Sequence, residues 1–111
     1  MKAGWLLRDG EVLATLEVAE TREERMRGLL GREGIDGAIL LRPARSVHSV
    51  GMAFSIDVAF CTKDLLVLRI ICLRPGRMTR PSLRGGCVIE AESGSFDRWK
   101  LQPGNRLEIR E

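Results

Sequence analysis

The most regular pattern in this chain is an alternation of apolar and polar positions. From Glu11 to Val18, Val12, Ala14, Leu16 and Val18 alternate with Glu11, Leu13, Thr15 and Glu17. A period of two puts one set of side chains on a single buried face of a strand. Trp5-Leu6-Leu7-Arg8 precedes it, and Asp9-Gly10 separates the two runs. Asp-Gly supplies the positive φ angles of a type I′ turn, so this part reads as a hairpin. The period then changes. Thr21-Arg22-Glu23-Glu24 has the form of a capping box. Met26, Leu29 and Leu30 follow at helical spacing, and Gly31 and Gly34 act as stop signals. A helix is predicted over about 21–31, with Gly28 inside it at a cost of about 1 kcal/mol relative to alanine.

Beyond Gly34 the extended pattern returns. Short apolar or alternating runs occur at Ala38–Leu41, Ser46–Met52, Ser55–Cys61, Leu65–Leu73, Cys87–Glu92 and Asn105–Arg110. Pro43, Pro75-Gly76, Pro81, Gly85-Gly86 and Pro103-Gly104 punctuate them. Ser95–Trp99 has room for one helical turn. Roughly seven or eight short strands and one helix predict a mostly β domain, a sandwich or barrel. The chain has 111 residues, enough for one domain and too few for two.

Charge adds one feature. The net charge is +3, but from Arg42 to Cys87 there are eight basic and two acidic residues. Arg69, Arg74, Arg77, Arg80 and Arg84 are followed by no acid until Glu90. Such a run is either a solvated loop or a surface for an anionic partner, which makes a weak nucleic-acid binder one alternative function. The absence of tyrosine and the scarcity of other aromatic residues speak against single-strand binding, which uses stacking platforms.

The first apolar run is too short for a signal peptide, and no stretch reaches the ~20 apolar residues of a membrane span. A cytoplasmic location without membrane association is expected. The three cysteines, Cys61, Cys72 and Cys87, do not suggest a disulfide framework. They also lack the close pairing of zinc ligands. The phosphate-loop, dinucleotide and nucleophile-elbow motifs are absent, so no metal or cofactor is expected.

The order of several motifs resembles a known family. Arg27-Gly28-Leu29-Leu30-Gly31-Arg32 follows the helix start, and Val47-His48-Ser49-Val50-Gly51-Met52 comes before Ile56-Asp57-Val58-Ala59-Phe60. Val88-Ile89-Glu90-Ala91 and Leu101-Gln102-Pro103-Gly104-Asn105-Arg106-Leu107 complete the set. Together they resemble the bacterial and archaeal domain of unknown function 192, from about Thr15 to Leu107. The chain departs from that pattern in having Ser55 where proline is frequent, no glycine in the Thr62-Lys63-Asp64 turn, and Asn105 in place of aspartate. The resemblance implies a jelly-roll-like β-sandwich or barrel with the helix outside, and no assigned activity.

Candidate chemistry centres on three residues. His48 is the only histidine and the side chain best suited to proton exchange near neutral pH. Asp57 and Glu90 sit within apolar strands, where a carboxylate needs a partner. If Ile56, Val58 and Phe60 share one face, Asp57 shares the other with Ala59 and Cys61. His48, Asp57 and Glu90, rimmed by Arg45 and Arg27, are therefore expected to line a polar pocket for a small polar or anionic ligand. The same surface could instead meet a protein partner. The competing readings are a structural role for these groups and a hydrolase-like enzyme pairing His48 with Asp57 or Glu90; the balance favours a non-enzymatic module.

Overall fold

The computed structural model describes all residues, Met1–Glu111. Seven strands and two short helices follow one another as β1 (Lys2–Arg8), β2 (Glu11–Ala19), α1 (Arg22–Arg27), β3 (Ala38–Leu41), β4 (Ile56–Cys61), β5 (Val67–Leu73), β6 (Cys87–Glu92), α2 (Ser95–Arg98) and β7 (Glu108–Arg110). The protein is mostly β, as the alternation predicts. The strands form one continuous mixed sheet in the order β5-β4-β6-β3-β2-β1-β7.

The first hairpin forms as read, with Asp9 and Gly10 at φ 53° and 77° in its turn. The β2–β3 pair is parallel, and α1 with the loop after it makes the crossover. Every other pair is antiparallel. The two edge strands approach one another through the C-terminal segment. Val67 N–H donates to the Asn105 carbonyl at 2.9 Å and Leu107 N–H to the Leu65 carbonyl at 3.0 Å, while Glu108–Arg110 pair with β1. The sheet therefore curls without closing into a barrel.

Both faces of the sheet are packed. One side buries Leu6, Leu16, Leu40, Ile89 and neighbours, with Phe96, Leu101 and Leu107 filling the curl. The other buries Ile39, Ile56, Val58, Phe60 and Val88 under Leu29, Ile35 and Met52. That is why β3 and β4 are apolar or enclosed at every position.

Helix α1 is shorter than its sequence suggests. It ends at Arg27 because Gly28 takes φ 48°, a conformation that disfavours side-chain-bearing residues. No residue of the helix is buried. Met26 stays 67% exposed, and the chain is anchored instead by Leu29, which is 2% exposed. The expected helical stripe is thus replaced by a break that drops one leucine into the core. The capping box does form: the Thr21 hydroxyl accepts from Glu24 N–H, and the Glu24 carboxylate accepts from Thr21 N–H, both at 3.1 Å. The Thr21 and Glu20 amides, with the N-terminal ammonium, hold the Glu24 carboxyl down at about 2. Arg32 pairs in bidentate fashion with Glu17 on β2 at 2.6 and 2.8 Å and fixes the loop after α1. With so little burial, the cap carries much of the local order. Thr21→Ala is expected to lower stability by about 1 kcal/mol in denaturant unfolding. An unchanged midpoint would show that the cap is dispensable.

No helix is long and apolar enough to cross a membrane. Val12, read as facing inward, is 51% exposed, because a bulge opposite Leu6–Leu7 breaks the alternation and Leu13 packs against the core instead. Ser46–Met52, read as a strand, is an irregular segment with one isolated bridge, His48 to Met78, held by hydrogen bonds from Val47 and Ser49 to the loop after β5 and by Met52 in the core.

Candidate functional site

The break after α1 creates the site. Arg22, residues Arg25–Leu30, the segment Pro43–His48, Leu41, Met52 and Glu90 line an open cavity of about 540 Å³ on the α1 side of the sheet. Its apolar walls include Leu29, Leu41, Val47 and Met52. Its rim carries Arg22, Arg25, Arg27, Arg45 and His48. Glu90 is its only acidic lining residue.

Glu90 reaches the cavity because of strand parity. It lies opposite Val58 on β4 and Ile39 on β3, so it points to the face that α1 covers. The carboxyl is 4% exposed. It has no hydrogen bond or ion pair with any protein group, although each of its oxygens keeps some contact with the cavity. Burial alone pushes its pKa up to about 7. Gly28 lies over it: a Cβ there would stand 3.9 Å from Glu90 Oε1 and from Leu41 Cδ2.

The rim residues differ in their freedom. Arg45 is tied down, donating to the carbonyls of Ser82 at 3.0 Å and Leu83 at 3.1 Å. Arg25 donates to the Glu20 carbonyl. Arg22 and Arg27 have no ion pair and remain exposed. His48 is exposed and held only through its backbone bridge to Met78.

Of the five residues expected to share a pocket, four do: Arg27, Arg45, His48 and Glu90. Asp57 does not. It pairs across the ladder with Ala91, on the opposite face of the sheet. Its Oδ2 accepts from Gly94 N–H and Phe96 N–H, both at 3.0 Å, and caps the start of α2. An Asp57–His48 acid–base pair is therefore not assembled, and His48 and Glu90 share the cavity without a hydrogen bond.

The basic loop 74–86 is well tied. The buried Ser49 accepts the Arg77 N–H on its hydroxyl at 3.0 Å, and its own N–H donates to the Arg77 carbonyl at 2.8 Å. Thr79 N–H donates to the Val47 carbonyl at 2.9 Å and Ser82 N–H to the Arg45 carbonyl at 2.8 Å. The loop thus braces the segment that forms one cavity wall. None of Arg69, Arg74, Arg77, Arg80 and Arg84 makes an ion pair. Arg69 lies apart on β5, its guanidinium 4.7 Å from the centre of the Phe60 ring. No three His, Cys, Asp or Glu side chains form a cluster suited to a metal ion.

Sequence reasoning missed Arg22, which it placed only within the capping box, and Arg25. It also missed the apolar walls and Ser49. Only a carboxylate within the apolar strand Val88-Ile89-Glu90-Ala91 hinted at a cavity, and whether such a group finds a partner is a property of packing.

No curated protein matches the chain. Two solved structures share its fold. One is from Sinorhizobium meliloti 1021, described as a "putative transcription regulator", with 21% identity, a TM-score of 0.78, and coverage of 96% of this chain and 92% of that one. The other is a protein of unknown function from Novosphingobium aromaticivorans DSM 12444, with 17% identity, a TM-score of 0.76, and coverage of 96% and 83%. At such identities the likeness shows the fold alone. The family model for domain of unknown function 192, an uncharacterised ACR, matches residues 5–109, and the chain belongs to that family.

Proposed function

We propose that this domain is a binding module for a small anionic ligand, held in the cavity between α1, the Pro43–His48 segment and β6. One observation carries the reading: Arg22 and Arg27, exposed and without an acidic partner, stand at the rim of a cavity with apolar walls. Both oxygens of Glu90 stay accessible from the cavity, so they face whatever enters it. Arg22 and Arg27 supply the attraction for an anion, since neither is neutralised by a neighbouring acid.

Amide-shift NMR titrations with monocarboxylates, phosphate esters and a short oligonucleotide test this reading. Shifts from the small anions are expected at Gly28–Gly31, Val47, Met52 and Glu90. Arg22→Ala/Arg27→Ala should weaken that binding about tenfold or more, because two charge-assisted contacts are lost. Shifts confined to Arg74–Arg84, produced by the oligonucleotide alone, would transfer the function to the basic loop. Absence of shifts with every probe would remove the ligand reading.

A further inference from the structure

Glu90 and the arginines form two separate poles. The carboxyl lies in the buried part of the cavity, and no arginine forms an ion pair with it. The exposed arginines stand at the mouth, and the apolar side chains of Leu29, Leu41 and Met52 contribute to the walls. A purely anionic ligand satisfies only the mouth. It brings the carboxyl no donor and, wherever Glu90 is ionised, adds a second negative charge to the same cavity.

We propose, on the reading that the cavity is a ligand site, that its ligand is dipolar: an anion at one end for the arginines, a primary ammonium at the other for Glu90, and an apolar chain between them. An ammonium brings three N–H donors and a compensating charge to a carboxylate that has neither. At a residue as buried as Glu90, that pairing is stronger than in water. The two poles are not in contact with each other, so the ligand's charges must be apart as well. This selects ω-amino carboxylates or amino-alkyl phosphates over α-amino acids, whose charges are adjacent.

The free protein holds the Glu90 proton up to about 7, and an incoming ammonium favours the ionised form. Binding near neutral pH should therefore release part of a proton.

The test compares 6-aminohexanoate with heptanoate, in which a methyl group replaces the ammonium. Calorimetry in two buffers of different ionisation heat reads both affinity and proton release. In the wild type at about pH 7, the amino compound should bind about tenfold more tightly or better, with proton release. That preference should shrink about tenfold on lowering the pH to about 5, where the free carboxyl is protonated. Glu90→Gln should abolish the preference and still bind heptanoate. Equal affinity of the wild type for the two compounds, or a preference that survives in Glu90→Gln, would overturn the proposal while leaving an anion site in place. Failure of both compounds to bind or to shift the cavity amides would overturn the site itself. The wild-type comparison needs no variant, so it stands even if Glu90→Gln fails to fold.

Discussion

Glu90→Gln should be more stable than the wild type by about 3 kcal/mol above neutral pH, and equal to it in mild acid. The sign follows from where the proton sits. In the unfolded chain the Glu90 carboxyl ionises around its ordinary value of 4.5, whereas in the folded protein burial delays ionisation to about 7. Between those values the folded state binds more protons than the unfolded state, so stability falls as pH rises. The loss begins above 4.5, is complete above about 7, and amounts to about 1.4 kcal/mol for each tenfold change in proton concentration across that window. A glutamine has nearly the same shape and never ionises, so the variant should lack this part of the pH dependence. Urea unfolding of both proteins near pH 5 and pH 8 provides the comparison. Parallel pH profiles would show that the carboxyl is solvated or paired in solution. A residue that weakens its own fold at neutral pH is what a binding role predicts, because function is commonly retained at some cost in stability.

Asp57 should behave in the opposite way. Asp57→Ala removes the acceptor of two backbone donors, Gly94 N–H and Phe96 N–H, at a site where Asp57 is 8% exposed. A buried donor left without a partner costs about 1–3 kcal/mol, so losing this acceptor should cost about 3 kcal/mol. Asp57→Asn keeps an oxygen in place and gives up only the charge, so about 1 kcal/mol is expected. Chemical denaturation orders the three proteins, and amide exchange should quicken at Gly94 and Phe96 in the alanine variant. Ligand binding in the cavity should be unchanged in Asp57→Asn, because Asp57 lies on the other face of the sheet. A loss of binding there with stability intact would return Asp57 to the site. Together, the two variants separate an acid that holds the fold from one that weakens it at neutral pH more sharply than any property of their neighbours in sequence.

The two acids could not be ranked before the structure was known. Each sits in an apolar strand with a hydrophobic residue on both sides. Parity assigned Asp57 correctly to the face of Ala59 and Cys61. It could not relate that face to the face of Glu90, because the relation depends on β6 pairing beside β4 and on the register of that pair. Similarly, Met26, Leu29 and Leu30 read as one helical stripe, yet Gly28 turns the chain so that only Leu29 enters the core. Met26 and Leu30 then line the cavity. The order of strands was also beyond reach. Hairpin signals report antiparallel neighbours, but the parallel β2–β3 pair and the insertion of β6 between β3 and β4 depend on contacts distant in the chain.

What the sequence determined by itself is local: the Asp9-Gly10 hairpin, the capping box at Thr21, the period-two strands, the short turn at Ser95, and the family to which the whole pattern belongs. These depend on φ preferences, side-chain-to-backbone bonds within a few residues, and the alternation of one strand. Tertiary structure alone decided that the strands make one curled sheet packed on both faces. It also decided that a carboxyl from β6, arginines from α1 and a braced loop enclose one cavity. The physical reason is that a buried charge without a partner is invisible in one dimension. Whether an acid is paired, solvated or left waiting depends on which residues pack against it, and those come from distant parts of the chain.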